Sequence, residues 1–281
     1  MAQTPPIILT IAGFDPSSGA GVTADVKTMA AHGCYGVACI TALTVQSTQG
    51  VSRVEVVSAD LIKETLEKLL QDVEIAAVRI GMLGSGNVAQ VVADFLAQAE
   101  LPNVVVDPIL KSSSGAALLD EIGRTLLAER LLPRATIVTP NVDEAAALTG
   151  LKVSNPEQMR AAAARLHEMG AAAVVVTGGH LEKAIDLLSF TSRRGIQQEI
   201  FKSQRLSSNS THGTGCAFAS ALACHLALGR GLPEAVLLAK VYVSGAIAHG
   251  HALGRGMSPV HHLYRVHQQR RALIVDPEPV S

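Results

Sequence analysis

Short apolar runs alternate with longer amphipathic stretches along most of this chain. Residues 7–12 form a mostly apolar run that stops at Gly13, the pattern of a buried strand. Residues 21–31 predict a helix, which Gly33 ends. Residues 37–45 are rich in strand formers. A polar turn (46–50) and a second strand-like run (51–57) follow. In 58–73 the residues Ile62, Leu66, Leu69, Leu70 and Val73 keep the helical period. Further on, strands are predicted at 76–80, 104–106, 137–139 and 173–176, and helices at 88–99, 118–132, 142–148 and 159–169. Residues 185–190 and 196–206 predict an antiparallel hairpin around Arg193-Arg194-Gly195. The segments 215–228 and 233–249 are almost wholly apolar, so they predict buried helices. The tail 274–281, with Asp276-Pro277-Glu278-Pro279, is expected to be disordered.

This alternation predicts βαβ units and an α/β fold of three layers, with a central, mainly parallel sheet covered on both faces. No repeat and no linker interrupts it, so residues 1–273 are read as one domain. Ligands of such sheets bind beyond the carboxyl ends of the strands. The polar signals sit there: residues 13–15, Gln46, Gly81-Met82, Asp107, residues 141–144 and residues 177–179.

Composition narrows the function. The chain has 281 residues, 48% of them hydrophobic, enough for a large core. Charged residues are 17% and the net charge is −1, so nothing basic points to nucleic acid. Aromatics are 3% and Trp is absent, which argues against base-stacking platforms. Cys34, Cys39, Cys216 and Cys224 form no CxxC pair, and Cys34, Cys39 and Cys224 read as buried small hydrophobes. The sequence shows neither a signal peptide nor a membrane span. Reduced thiols and a cytoplasmic location are expected.

The strongest chemical signal is Ser210-Thr211-His212-Gly213-Thr214-Gly215-Cys216, placed where an apolar helix begins. Two glycines let backbone amides approach an anion, and the helix start adds its unpaired N–H groups and positive dipole end. A thiol in that field is expected to ionise more easily than a free cysteine. The loop 13–21 is also glycine-rich, but it is neither GxGxxG nor a Walker A loop, and no Gly-Lys pair occurs in the chain. It also reads as a tight turn. Asn141 and Glu144, three apart, fit a capping box as well as they fit oxygen ligands of a hydrated Mg²⁺. His212 lacks the elbow motif of a serine hydrolase. His249, His251, His261 and His262 lack companion ligands and read as surface or helix-end histidines.

Several blocks, taken together and in order, resemble the hydroxymethylpyrimidine/phosphomethylpyrimidine kinases of thiamine biosynthesis, in the ribokinase-like superfamily. They are residues 9–21, 24–28, 40–46, 107–110, 139–141, 211–216 and 239–247, and the likeness spans about residues 7–264. The resemblance implies a ribokinase-like fold and transfer of the ATP γ-phosphoryl to a hydroxymethylpyrimidine, then to its monophosphate. It implies Gly213, Thr214, Gly215 and Cys216 as the anion hole, with Cys216 taking or guiding the hydroxyl proton. Gln46 would meet the aminopyrimidine edge, since a carboxamide offers one acceptor and one donor pair. Gly13, Thr44, Met82 and Ile109 would line that pocket, and Asp25 would reach the hydroxymethyl side. Asn141, Glu144 and Asp107 would serve Mg²⁺ and phosphate, with Asp107 and Glu144 on the metal. Thr177, Gly178, Gly179 and Lys240 would serve ATP. A homodimer follows from the same likeness.

The chain departs from the family pattern at three places: Thr177 and Ser113 stand where lysines are common, and residues 254–262 differ from the usual late glycine-histidine segment. Two other readings share the fold: a pyridoxal or pyridoxine kinase, and a pyrimidine-binding protein without catalysis. A pyridine without the amino group would not satisfy Gln46 in the same way. An intact 213–216 turn argues against a binder alone.

Overall fold

The computed structural model describes residues 4–112, 115–179, 184–206 and 208–266. The expected disordered tail and Ser113 lie outside them. Nine strands form the main sheet. In spatial order they are β3 (Gly50–Val56), β2 (Tyr35–Ser47), β1 (Ile7–Phe14), β4 (Ile75–Ile80), β5 (Val104–Val106), β6 (Ile137–Val138), β7 (Ala173–Gly178), β8 (Ala184–Ser192) and β9 (Gly195–Ser203). The pairs from β2 through β7 are parallel. The strands β3, β8 and β9 run antiparallel to their neighbours. This is the expected α/β architecture, with the hairpin β8–β9 at one edge.

The period of two along each strand sorts its side chains between two cores. Leu9, Ile11, Val104 and Val106 enter one cluster, and Ile8 and Val105 enter the other. The first cluster is covered by α2 (Ala59–Asp72), α3 (Gly86–Gln98), α4 (Glu121–Leu126), α5 (Val142–Thr149) and α6 (Pro156–Glu168). The second is covered by α1 (Gly21–Ala31), α7 (Thr214–Ala227) and α8 (Leu232–Ala248). Every residue of α7 from Cys216 to Leu226 is buried, as its apolar sequence requires. Two short strands, β10 (Ser210–His212) and β11 (Ser258–Pro259), pair beside the start of α7.

The predicted single helix over 118–132 is three pieces. Asp120 takes the N–H of Gly123 at 2.7 Å and so starts α4 at Glu121. A π-helical turn (Leu127–Leu131) and a 3₁₀ turn (Leu132–Arg134) follow. Pro133 explains the change, because it has no N–H to donate and its ring crowds the carbonyl one turn back.

The chain leaves β1 through α1 to β2 on one side, and β4 lies on the other side of β1. The strand order therefore reverses around β1, which opens a crevice beyond its carboxyl end. Gly13 lies near the end of β1, and Asp15, Met82 and Asp107 follow strands there, as expected from the sequence.

Candidate active site

Two glycine-rich segments meet over this crevice. Asp15 organises the first. Its Oδ1 accepts from Ser17 N (2.8 Å) and Ser17 Oγ (2.7 Å), and its Oδ2 accepts from Ala20 N (2.9 Å) and Gly19 N (3.2 Å). The same Oδ2 lies 2.8 Å from His212 Nε2 in the second segment. Burial acts to raise the Asp15 carboxyl, but the hydrogen bonds from His212 and Ser17 hold it below its ordinary value. Gly213 caps α7 with φ +80°, and a side chain there would run into the Gly19 carbonyl. Gly213, at the cap position, brings no side chain to the amides that open α7, and among the described residues nothing crowds Gly215. The helix start is thus built as an open anion cradle.

Beneath that cradle lies a buried ionic network. Arg79, on β4, has no exposed surface. Its Nη1 donates to Asp25 Oδ2 (3.1 Å) and its Nη2 to Asp107 Oδ2 (2.6 Å). Thr10 and Ser220 donate to Asp25 at 2.6 and 2.8 Å, and Thr139 to Asp107 at 3.5 Å. Cys216 packs onto this network, with Arg79 against its sulfur. Burial pushes the Cys216 thiol up to about 11, and the Arg79 charge offsets this only in part. The expectation of an easily ionised thiol is therefore corrected. Sealing the sulfur from water outweighs the favourable helix end.

On the other side of β1 the expected pyrimidine contacts converge. The sulfur of Met82 lies so close over Gly13 that any side chain at 13 would collide with it. Met82, Ala42 and Leu118 form a small apolar cluster, with Ile109 and Val54 packed against it. Thr44 Oγ1 lies 3.0 Å from Phe14 O and 3.1 Å from Gln46 Oε1, and Gln46 Nε2 lies 3.3 Å from His212 Nε2. Gln46 also lines an open cleft of about 680 Å³ between the β2–β3 turn and residues 115–116.

The expected nucleotide contacts lie at the ends of β6 and β7. Asn141 and Glu144 do form the capping box of α5. Asn141 Oδ1 accepts from Asp143 N and Glu144 N at 2.9 Å, and Glu144 Oε2 accepts from Asn141 N at 2.9 Å. Thr177 pairs with the Pro140-Asn141 backbone. Gly178 N donates to Asp186 Oδ1 at 3.0 Å, and Lys240 Nζ donates to Asp186 Oδ2 at 2.6 Å. Gly179 faces open space.

Among the described residues no group of three His, Cys, Asp or Glu is arranged as a ready-made metal cage. The charge balance nevertheless fits a divalent cation. Asp25 and Asp107 are buried against the Arg79 guanidinium, and Glu144 is buried near Asp107. Burial and the nearby Asp107 charge push Glu144 up to about 8. One or two carboxylates plus nucleotide phosphates are the usual Mg²⁺ setting.

A sequence model of the family described as phosphomethylpyrimidine kinase matches residues 15–261. The chain belongs to this family. A hydroxymethylpyrimidine/phosphomethylpyrimidine kinase of Streptomyces coelicolor is 42% identical over 260 residues, 92% of this chain and 95% of that one. A phosphomethylpyrimidine kinase structure from Clostridium difficile superposes with TM-score 0.77 at 37% identity, covering 86% of this chain and 99% of its own. The ADP complex of Bacillus subtilis pyridoxal kinase superposes with TM-score 0.84 at 31% identity, covering 94% and 100%. The two measures favour different relatives. Shape is shared by both chemistries, so the sequence match carries more weight for function. Membership makes the chain a phosphotransferase with a ribokinase-like fold.

Within this phosphomethylpyrimidine kinase scaffold, the expected site residues divide. Gly13, Thr44, Gln46, Met82 and Ile109 gather on the β2 side of the crevice, and Gly213, Thr214, Gly215 and Cys216 at the start of α7. Asn141, Glu144, Thr177 and Gly178 gather at β6 and β7. Asp25 differs from its expected place. It has no exposed surface and its oxygens are taken by Thr10, Arg79 and Ser220, so it supports the site from below. Lys240 is tied to Asp186 rather than free for a phosphate. Arg79 and Asp186 were not foreseen, nor was the contact between Asp15 and His212. Arg79 carried a signal, being the one charge in the apolar strand Ile75–Ile80.

Proposed function

We propose that this phosphotransferase uses ATP to phosphorylate 4-amino-5-hydroxymethyl-2-methylpyrimidine, and then its monophosphate, for thiamine biosynthesis. The observation that carries the reading is Gln46, a neutral carboxamide held beside the cleft and joined through His212 to the α7 cradle. Its acceptor and donor match an amino group beside a ring nitrogen, with no buried charge. The apolar wall of Met82 and Ile109 suits the methylated ring face.

In the reaction the substrate hydroxyl oxygen bonds the γ-phosphorus as the bond to ADP breaks. The amides of Thr214, Gly215 and Cys216 would stabilise the charge spreading over the transferred oxygens. Cys216, as thiolate, would take the hydroxyl proton, and Arg79 is the charge that favours that form. Asp107 and Glu144 would hold Mg²⁺, which supplies charge neutralisation on the phosphates. Thr177, Gly178 and Gly179 would border the nucleotide, and Asn141 would shape their approach.

A homodimer is part of this reading, supported by Leu43 and Val45 standing exposed on β2. So is a cytoplasmic setting, supported by four free cysteines. Among the described residues, no helix is long and apolar enough to cross a membrane. Gln46→Leu tests the substrate assignment. KM for the pyrimidine should rise about tenfold or more through loss of paired hydrogen bonds, with KM for ATP little changed. An unaltered pyrimidine KM would remove the basis for the assignment.

A further inference from the structure

His212 and Thr44 flank the Gln46 carboxamide, and their own protons restrict how it can lie. A half-turn about the last side-chain bond exchanges the amide's oxygen and nitrogen. The Asp15 carboxyl is ionised and lies 2.8 Å from His212 Nε2, so that nitrogen must carry a proton and donate. An amide N–H facing the same nitrogen at 3.3 Å would set donor against donor. Thr44 has a single hydroxyl proton, and both Phe14 O (3.0 Å) and the amide of Gln46 (3.1 Å) lie within its reach. It cannot donate to both.

One arrangement satisfies every group. The Gln46 oxygen turns toward His212 and shares the Nε2 proton with Asp15. The Gln46 nitrogen turns toward Thr44 and donates to Oγ1, whose own proton goes to Phe14 O. We infer that His212, held by Asp15, is a positioning residue that fixes which end of the Gln46 amide is donor and which is acceptor toward the substrate ring. The outer edge of the amide then keeps one oxygen lone pair and one N–H free, in a fixed order. An aminopyrimidine edge has a matching order, and reversing the amide would set donor against donor. The inference rests on Gln46 as the pyrimidine contact proposed above. It extends that reading from which residue meets the ring to what sets its polarity.

The experiment compares wild type with His212→Leu and His212→Gln. Steady-state kinetics are read beside the imidazole nitrogen spectrum of the intact chain. At neutral pH the spectrum of the wild type should show the His212 proton on Nε2. His212→Leu should raise KM for hydroxymethylpyrimidine about tenfold, the scale of one hydrogen bond lost from a recognising pair, and leave KM for ATP within about twofold. His212→Gln brings an amide N–H back within reach and should recover much of that rise. A bare Nε2, an equal rise in both KM values, or no recovery in His212→Gln would overturn the inference. Wild type that fails to phosphorylate the pyrimidine would instead sink the proposed substrate, while the nitrogen spectrum would still decide the hydrogen-bond order.

Discussion

Cys216 lies where the open end of α7 meets the Asp25–Arg79–Asp107 network, so its chemistry belongs to neither alone. Burial keeps its sulfur a thiol at neutral pH, with a pKa of about 11. If it takes the hydroxyl proton, Cys216→Ala should lower kcat about 100-fold, the usual scale for a positioned proton-transfer group, with ATP binding retained. Wild-type kcat should also climb with pH above neutrality, because more thiolate forms as the pH nears that pKa. A flat pH profile with unchanged kcat in the variant would make Cys216 an ordering residue only. The cysteine and its glycines were legible because their meaning is local: two glycines, a helix start and a thiol are adjacent in sequence. Arg79 was not, since its partners lie 54 and 28 residues away. The sequence argues only against a serine-hydrolase role for His212, and its partner Asp15 is 197 residues distant. Glu144 shows the converse. Its capping box was readable from spacing, but its closeness to Asp107 was not.

At the scale of elements, the loop after β1 and the turn before α7 act as one unit. Asp15 joins them by charge, and Gly213 joins them by letting the turn press on the Gly19 carbonyl. Gly213→Ala adds a side chain both at φ +80° and against that carbonyl. It should cost stability of at least about 1 kcal/mol and displace the cradle, so that kcat falls while the far end of the nucleotide still binds. Denaturant unfolding and single-turnover kinetics check this, and a variant with native stability and rate would show that the two segments are independent. Element types were largely readable, because long periodic segments bury one face. The helix expected from residue 159 starts at Pro156, where Asn155 accepts from Gln158 N at 2.9 Å. The break within 118–132 hid behind a run that mixes apolar and charged residues as an amphipathic helix does, and Pro133 lies just beyond it. The strands β10 and β11 are too short for any period to show.

Over the whole molecule, strand order decides where the chemistry can sit. The reversal around β1 brings segments from residue 13 to residue 216 to one crevice. The alternation of apolar runs predicted the layers, but the order of strands in the sheet depends on long-range pairing that no local pattern encodes. Folding also carries a pH signature. Burial pushes His225 and His262 down to about 4, against an ordinary value of 6.5. The unfolded chain therefore binds protons that the folded chain refuses between those values. The stability that these two histidines contribute is full above pH 6.5 and is lost as the pH falls toward 4. The double variant His225→Gln/His262→Gln should show a shallower fall in unfolding free energy over that window, and an equal slope would contradict the account. The central claim concerns the substrate. The most direct measurement is a competition at equal concentrations of hydroxymethylpyrimidine and pyridoxal with ATP and Mg²⁺, with products resolved by mass. The account predicts pyrimidine monophosphate first, diphosphate next, and a higher kcat/KM for the pyrimidine. Preferential formation of pyridoxal phosphate, or no phosphorylated pyrimidine, would contradict it.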